Sequence, residues 1–296
     1  MHLEGSVRAL GEVGVWAPWW LWKQEGERLG ETAQELEGLG FGTLWVANGP
    51  EMLETAQKML QATDRISVAT GIVNIWVHDP ADIADAYLQA EKLHPGRLTI
   101  GLGNGPREPA QWTLSPYGEL VRYLDRLDDA GVPRDSRMLA AVGPRMLELA
   151  AARSRGAHPF LTTPEHTAEA RAVLGSGPVL APELKVVLET DPVEARAIAR
   201  QALDFYLSKR GYATNLRRLG FTDDDLQNGG SDRLVDAVVA WGDPDTVQSR
   251  IAEHHQAGAD HVAVQLLNRT TDGLPQPNRR LPRADYRQLA FNRRDV

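Results

Sequence analysis

Residues 136–163 read SRMLAAVGPRMLELAAARSRGAHPFLTT, an apolar run, a turn and a periodic run in immediate succession. The spacing predicts a buried strand over 138–142, a turn at Gly143-Pro144, a helix from Arg145 to about Arg155 and a second short strand over 157–161. A strand, a glycine turn and a helix in that order aim backbone N–H groups and the positive end of the helix dipole at one point. Such a point binds anions, most often a phosphate.

The same alternation runs outward in both directions. Upstream, residues 13–16 form a short apolar run, and Leu29, Ala33, Leu36 and Leu39 share one helical face. Residues 43–47 (TLWVA) read as a strand that stops at Asn48-Gly49-Pro50, where Pro50 suits a first helical turn. Residues 66–73 form a third strand and 98–102 a fourth, with a helix carrying Ile83, Tyr87 and Ala90 between them. A helix over 117–130 leads into the opening stretch, which supplies strands five and six. Residues 184–188 and 262–266 are the seventh and eighth. Strands alternating with amphipathic helices imply right-handed βαβ units and a parallel sheet, and eight units in 296 residues imply a closed (β/α)8 TIM barrel. The interval between strands seven and eight holds several helical segments, too many for one crossover. The chain is therefore expected to be a single barrel domain over 1–296 with a helical insertion at about 203–241.

Composition excludes several classes of function. Cysteine is absent, so disulfides, thiolate metal sites and cysteine nucleophiles are ruled out. A formal charge of −8 argues against nucleic acid as the main partner. No apolar run approaches the roughly 20 residues that cross a bilayer, and the N-terminus lacks the pattern of a signal peptide, so no membrane partner and a cytoplasmic location are expected.

In a barrel of this kind the site lies at the C-terminal ends of the strands. Those ends carry Trp16; Trp45 and Asn48; Gly71, Ile72, Asn74, Trp76 and His78; Gly103, Asn104 and Gly105; Gly143 and Arg145; His158 and Phe160; Lys185 and Glu189. Glycines, aromatics and amides outnumber acid–base groups, which suits a site holding a large planar cofactor. No HxH stands on the first strand, and His254-His255 are neighbours on a helix and point apart, so no metal is expected. No GxSxG nucleophile motif occurs. GLGNGP at 101–106 lacks the third glycine of a dinucleotide fingerprint and instead lets a ring or phosphate approach the backbone. Three strands end in Gly-Pro, at 49–50, 105–106 and 143–144, and each pair taken singly reads first as plain helix initiation. His158 reads equally as a packed, hydrogen-bonded residue or as a catalytic one. Trp19, Trp20 and Trp22 read as core or interface, whereas strand ends put Trp16, Trp45 and Trp76 round the mouth.

TGIVNIWVHDP (70–80), IGLGNG (100–105), YLDRLDDAGVP (123–133), LAAVGPRMLELAAARSRGAHPFLTTPEHTAEAR (139–171), LAPELKVVLETDPVEAR (180–196) and AGADHVAVQ (257–265) resemble the luciferase-like monooxygenase superfamily. Within it they are similar to the actinobacterial subgroup that uses the deazaflavin coenzyme F420. The resemblance implies a bacterial luciferase-like barrel, commonly a homodimer, with the cofactor ring across the mouth and its phosphate after strand five. By position, the phosphate would meet Val142, Gly143, Arg145 and Met146. A non-prolyl cis peptide would fall at Gly71-Ile72, with Asn74, Asn104, Gly105 and Trp45 also on the cofactor. Trp16, Trp76 and Phe160 would face substrate. The sugar-phosphate dehydrogenase branch has a histidine after strand two and a glutamate after strand four. Here those places hold Asn48 or Gly49 and Pro106, with Glu108 two residues on. The catalytic candidates are accordingly His158, Asn48 and Glu108, and Arg107, Arg145 or Lys185 would meet the cofactor's acidic tail. The implied activity is hydride transfer between coenzyme F420 and a small organic substrate. The alternatives are an FMN-dependent monooxygenase and a non-catalytic flavin-binding relative.

Overall fold

A computed structural model describes residues 10–47, 49–105, 114–268 and 280–291 of the chain. Eight stretches of parallel strand make up the wall of the barrel: β1 (Val13–Ala17), β2 (Thr43–Val46), β3 (Ser67–Thr70) continued by β4 (Val73–Asn74), β5 (Leu98–Gly103), β6 (Arg137–Leu139), β7 (Gly156–Ala157), β8 (Val179–Leu180) continued by β9 (Glu183–Val187), and β11 (Val262–Leu266). Among the described residues every ladder is parallel. The ring closes through one interrupted strand. Its first half, β8, bonds to β7, and after Ala181-Pro182 its second half, β9, bonds to β11, which in turn bonds to β1. This is the barrel read from the sequence.

Strand boundaries depart from the expected ones where the backbone leaves the ladder. The third strand is cut in two by the peptide between Gly71 and Ile72, which is cis as the resemblance implies. The sixth ends as regular strand at Ala157, since Pro159 has no N–H to donate and Leu161 turns to φ 56°. After α1 (Trp19–Gln24), α2 (Leu29–Gly38) and α3 (Met52–Ala62), the later helical crossovers include α4 (Pro80–Leu93), α5 (Pro116–Asp129), α6 (Pro144–Arg153), α7 (Pro164–Leu174) and finally α11 (Pro244–Gln256). Each of these later helices begins with proline at the first position, where the missing N–H costs no helical bond.

Between β9 and β11 the chain also builds α8 (Pro192–Leu207), α9 (Arg210–Arg218), α10 (Asp232–Val238) and β10 (Val239–Trp241). Of these helices α10 is the shortest. The β-branched pair Val238-Val239 ends it, and β10 joins the sheet beside β9. These elements bury Ile198, Leu203, Leu216, Phe221, Leu234 and Val238 in a core of their own, set against Val187 and Leu161 of the barrel. Among the described residues, no helix is long and apolar enough to cross a membrane.

Ladder register decides which side chains fill the barrel, because paired residues on adjacent strands face the same way. Gln265 pairs with Lys185; Trp16, next in the β1–β11 register, pairs with Trp45, which pairs with Ala69. Toward the C-terminal mouth the inward-facing residues include Trp16, Gly71, Gly103, Ala140, Phe160, Lys185 and Gln265. Deeper along the same strands they include Trp45, Ala69, Met138, His158, Ala181, Glu183 and Ala263. The buried cluster of Trp16, Trp45, Ala69, Met138, Ala181 and Ala263, with Phe160 packed on it, follows this pattern.

Candidate active site

The mouth gathers several of the residues read from the strand ends. Trp16, the fourth residue of β1, sets its indole Nε1 where a Cβ on Gly71 would lie 2.5 Å away. Ile72 turns its side chain over Gly103, whose added Cβ would meet it at 3.1 Å and Ala140 at 2.9 Å. The Asn74 side chain lies against Gly105 and accepts the Trp76 N–H at 3.0 Å. Small residues are thus placed where the mouth must stay open. Gly71→Val would drive two methyls into Trp16 and Trp45. It is expected to cost about 1–3 kcal/mol by overpacking, read as a lower denaturation midpoint and a shifted tryptophan emission; unchanged values for both would contradict the packing.

Two mouth groups lack hydrogen bonds among the described residues: the Trp16 Nε1 donor and the Asn104 Oδ1 acceptor, both buried atoms. Buried polar atoms are nearly always paired, so orphans at a strand-end mouth mark a place for a ligand.

At the expected phosphate position, α6 begins at Gly143 with no side-chain cap and with open space where a Cβ would sit. Arg145 is exposed and stacks its guanidinium 3.9 Å over the Tyr117 ring. Met146, half-buried, donates its N–H to the Gly143 carbonyl. The Val142 carbonyl turns the other way, toward His166 Nε2 at 2.7 Å and Arg218 Nη2 at 3.4 Å. That orientation leaves the start of α6 to N–H groups. Arg218, from α9, was not read from the sequence; nothing in its helical setting marks it.

Other candidates lie elsewhere. Trp45 sits one layer below the mouth and is fully buried, its Nε1 donating to His261 Nε2 at 3.0 Å. His158 stacks on it, with ring centroids 4.2 Å apart and planes 11° apart. His158 Nδ1 donates to the Ala181 carbonyl at 2.7 Å, so its Nε2 is a bare acceptor, and it finds no partner among the described residues. Burial pushes the imidazole pKa down to about 4, against the pull of the Ala181 bond and with the nearby Lys185 charge adding to the fall. His158 is therefore a neutral interior group near pH 7. Trp76 lines a cleft of about 350 Å³ between the start of α4 and α5, together with His78, Asp79, Tyr123 and Arg126. Asn48, Glu108, Arg107 and Pro106 lie outside the described residues.

Lys185 does not reach out toward an acidic tail. Its ammonium is fully buried, 2.9 Å from Glu183 Oε1 and 3.1 Å from Gln265 Oε1. Phe160 covers it at 3.8 Å and Tyr206 of α8 at 4.8 Å. Phe160 also touches Trp16 at 5.4 Å, Tyr206 at 5.0 Å and Tyr212 of α9 at 5.8 Å. Burial lowers the Lys185 pKa and raises that of Glu183, each opposed by the partner's charge. The signal for this pair was present in ELKVV (183–187): two charges at alternate positions of an apolar strand must share its inward face. Among the described residues no cluster of histidine and carboxylate side chains could hold a metal ion.

The site is a polar-edged, aromatic-walled barrel mouth, and comparison with known proteins shows what the chain is similar to. Residues 12–130 match the family described as luciferase-like monooxygenase. The F420-dependent hydroxymycolic acid dehydrogenase of Mycobacterium tuberculosis is 30% identical over 116 residues, which are 35% of this chain and 32% of that protein. The chain thus matches about a third of that relative's length. Among solved structures, an F420-dependent secondary alcohol dehydrogenase in complex with an F420-acetone adduct superimposes with a TM-score of 0.70 at 14% identity, over 95% of this chain and 97% of that one. The oxygenating constituent of 3,6-diketocamphane monooxygenase from Pseudomonas putida, in complex with FMN, gives 0.61 at 15% identity, over 95% and 97%. Residues 12–130 thus resemble the luciferase-like monooxygenase family, and the fold of the whole chain is that of these solved barrels.

Proposed function

We propose that the protein is an oxidoreductase that uses the deazaflavin coenzyme F420 on a small organic substrate. The observation that carries this reading is an open, small-residue mouth beside an uncapped helix start: Gly71, Gly103 and Ala140 on one side, Gly143 and the exposed Arg145 on the other. These residues fit a flat, phosphate-bearing cofactor. The N–H groups at the start of α6 and the Arg145 guanidinium would hold its phosphate. Asn104 Oδ1 would accept from an N–H on the ring edge, and Gly71, Ile72, Asn74 and Gly105 would border the ring. When bound, the deazaflavin supplies a hydride donor or acceptor at C5.

The chain's own residues do the rest. Trp16 and Phe160 bound the space left for substrate, and the rings of Tyr206 and Tyr212 keep water from it. His158, neutral and one layer down, remains an acceptor at Nε2. The aligned relative's F420-dependent activity supports the deazaflavin over FMN. An FMN-dependent monooxygenase is the second reading, supported by the FMN-bound structural neighbour.

Titrating the purified chain with coenzyme F420 and with FMN, following cofactor fluorescence, tests this directly. Coenzyme F420 is expected to bind more tightly, and Arg145→Gln to weaken it on the order of tenfold, the loss of one charge-assisted contact. A preference for FMN would overturn the deazaflavin assignment, and an unchanged affinity in Arg145→Gln would move the phosphate elsewhere.

A further inference from the structure

The cleft between the start of α4 and α5 stands apart from the mouth. Ile75 lies on its wall and donates its backbone N–H to the Gly103 carbonyl at 3.1 Å, which ties that wall to the rim of the barrel. The volume of about 350 Å³ corresponds to about a dozen waters at ~30 Å³ each, room for one small molecule.

Two ion pairs face this space. Asp79 takes Arg126 through both carboxylate oxygens, at 2.9 and 3.4 Å, and its Oδ1 also caps α4 by accepting the Ala81 N–H at 2.8 Å. Glu119 holds Arg122 and accepts the Leu114 N–H at 3.0 Å. The lining thus carries two cations and two carboxylates. Burial lowers the His78 pKa against the pull of Asp82, so that ring is neutral near pH 7. A charged guest would meet as much repulsion as attraction, and a neutral one suits the cleft better.

Hydrogen-bonding capacity is left over in both senses. A guanidinium has five N–H donors, of which Arg126 spends two on Asp79, and a carboxylate has about four lone-pair positions, of which Asp79 fills three. The two side chains are 53% and 52% exposed, so both are open to a guest from solvent. Tyr123, also on the lining, is 5% exposed, and its hydroxyl has no partner among the described residues. Buried polar groups are nearly always paired, so this hydroxyl marks a place for one more hydrogen bond. Trp76, half-buried, supplies an aromatic face. A hydroxyl both donates and accepts, so neighbouring hydroxyls on one ring match a carboxylate and a guanidinium held side by side. The C–H face of the same ring then suits the indole.

We infer that this cleft binds a neutral polyhydroxylated molecule of monosaccharide size, with Asp79 and Arg126 taking adjacent hydroxyls and Trp76 against its ring. The site lies outside the mouth, and the inference does not depend on which cofactor the mouth holds.

The probes are glucose and myo-inositol, neutral and rich in adjacent hydroxyls. The comparators are glucose 6-phosphate, which adds charge, and cyclohexanol, which keeps the ring with a single hydroxyl. Binding to the full-length protein is read by saturation-transfer NMR and by the indole N–H resonance of Trp76, assigned through its loss in Trp76→Phe. At least one neutral polyol is expected to bind more tightly than both comparators and to shift that resonance. Asp79→Asn keeps the helix cap, because asparagine caps as well as aspartate, and removes one half of the ion pair. Arg126→Gln removes the other half. Each should weaken the polyol on the order of tenfold, the loss of one charge-assisted contact. Circular dichroism checks that the variants fold, and the Trp76 resonance of the parent decides the matter where one does not. Binding of neither polyol, tighter binding of the phosphate or of cyclohexanol, an unmoved Trp76 resonance, or an affinity unchanged in both folded variants would each overturn the site.

Discussion

Lys185→Met is expected to destabilise the protein by about 3–5 kcal/mol, the usual cost of stripping one partner from a buried ion pair. Glu183 would then hold a carboxylate beneath the mouth with only the long Leu161 N–H contact at 3.5 Å to offset its burial. The pH dependence of the loss follows from the direction of the Glu183 shift. Burial already raises its pKa, and Lys185 supplies the main opposing pull. Removing Lys185 raises it further. A carboxyl whose folded pKa lies above its unfolded value contributes stability that is fully present below the unfolded value, about 4.3, and is lost as pH rises through the folded pKa. The variant should therefore lie closest to the parent near about pH 5 and furthest from it near about pH 8. Adding Glu183→Gln, which removes the stranded charge, should recover at least half of the deficit and flatten the difference. Urea denaturation of the three proteins at both pH values decides it. A single variant within about 1 kcal/mol of the parent at both would mean that the pair carries no net charge separation in the barrel.

How far the sequence discloses this site depends on which physical signal each part carries. The barrel was legible because alternation of strand and helix is a long-range pattern that single residues do not disturb. The start of α6 was legible as well, since VGPR places a glycine and a proline where a strand gives way to a helix. Depth was harder. Trp45 and His158 were read as rim residues because each stands near a strand end, yet both are buried and stacked on each other. A shift of two residues along a strand moves a side chain by about 7 Å without changing the face it occupies, and strand ends are uncertain by that much. The aromatic cover was invisible for another reason. Tyr206 and Tyr212 belong to α8 and α9, and nothing in an amphipathic helix says which strand ends it will cross. Glu183 was overlooked although its alternation with Lys185 is plain, since an inward-facing charge pair contradicts the expectation of an apolar barrel interior.

Mild acid should unfold the protein, because His158, His254 and His261 are all buried as neutral rings. Burial is the leading cause of each shift and pushes their pKa values down to about 4, about 3 and about 3. Each ring is tied to its surroundings in the neutral form. His158 Nδ1 donates to Ala181 and leaves Nε2 bare. His261 Nδ1 donates to the Gly11 carbonyl, and its Nε2 accepts the Trp45 indole N–H, a bond that protonation would abolish. His254 Nδ1 lies 2.9 Å from the Thr167 hydroxyl, while its Nε2 is buried without a partner among the described residues. A histidine whose folded pKa is depressed contributes stability that is present above the unfolded value, about 6.5, and is lost as pH falls toward the folded one. Below that value each ring removes about 1.4 kcal/mol per pH unit, so three together remove about 4. Against a total of about 5–15 kcal/mol for a folded domain, such a slope leads to unfolding between about pH 6 and pH 4. The carboxylates most tightly held on the surface, such as Asp225 beside Arg233, begin to matter only at lower pH, so this window belongs to the histidines. His158→Phe keeps the stack on Trp45 and removes one titrating ring. It should lower the slope of stability against pH by about a third, though the lost bond to Ala181 lowers stability at every pH. Stability that stays level from about pH 7 to about pH 5 would show that these rings take up protons in place, through water reaching the barrel interior.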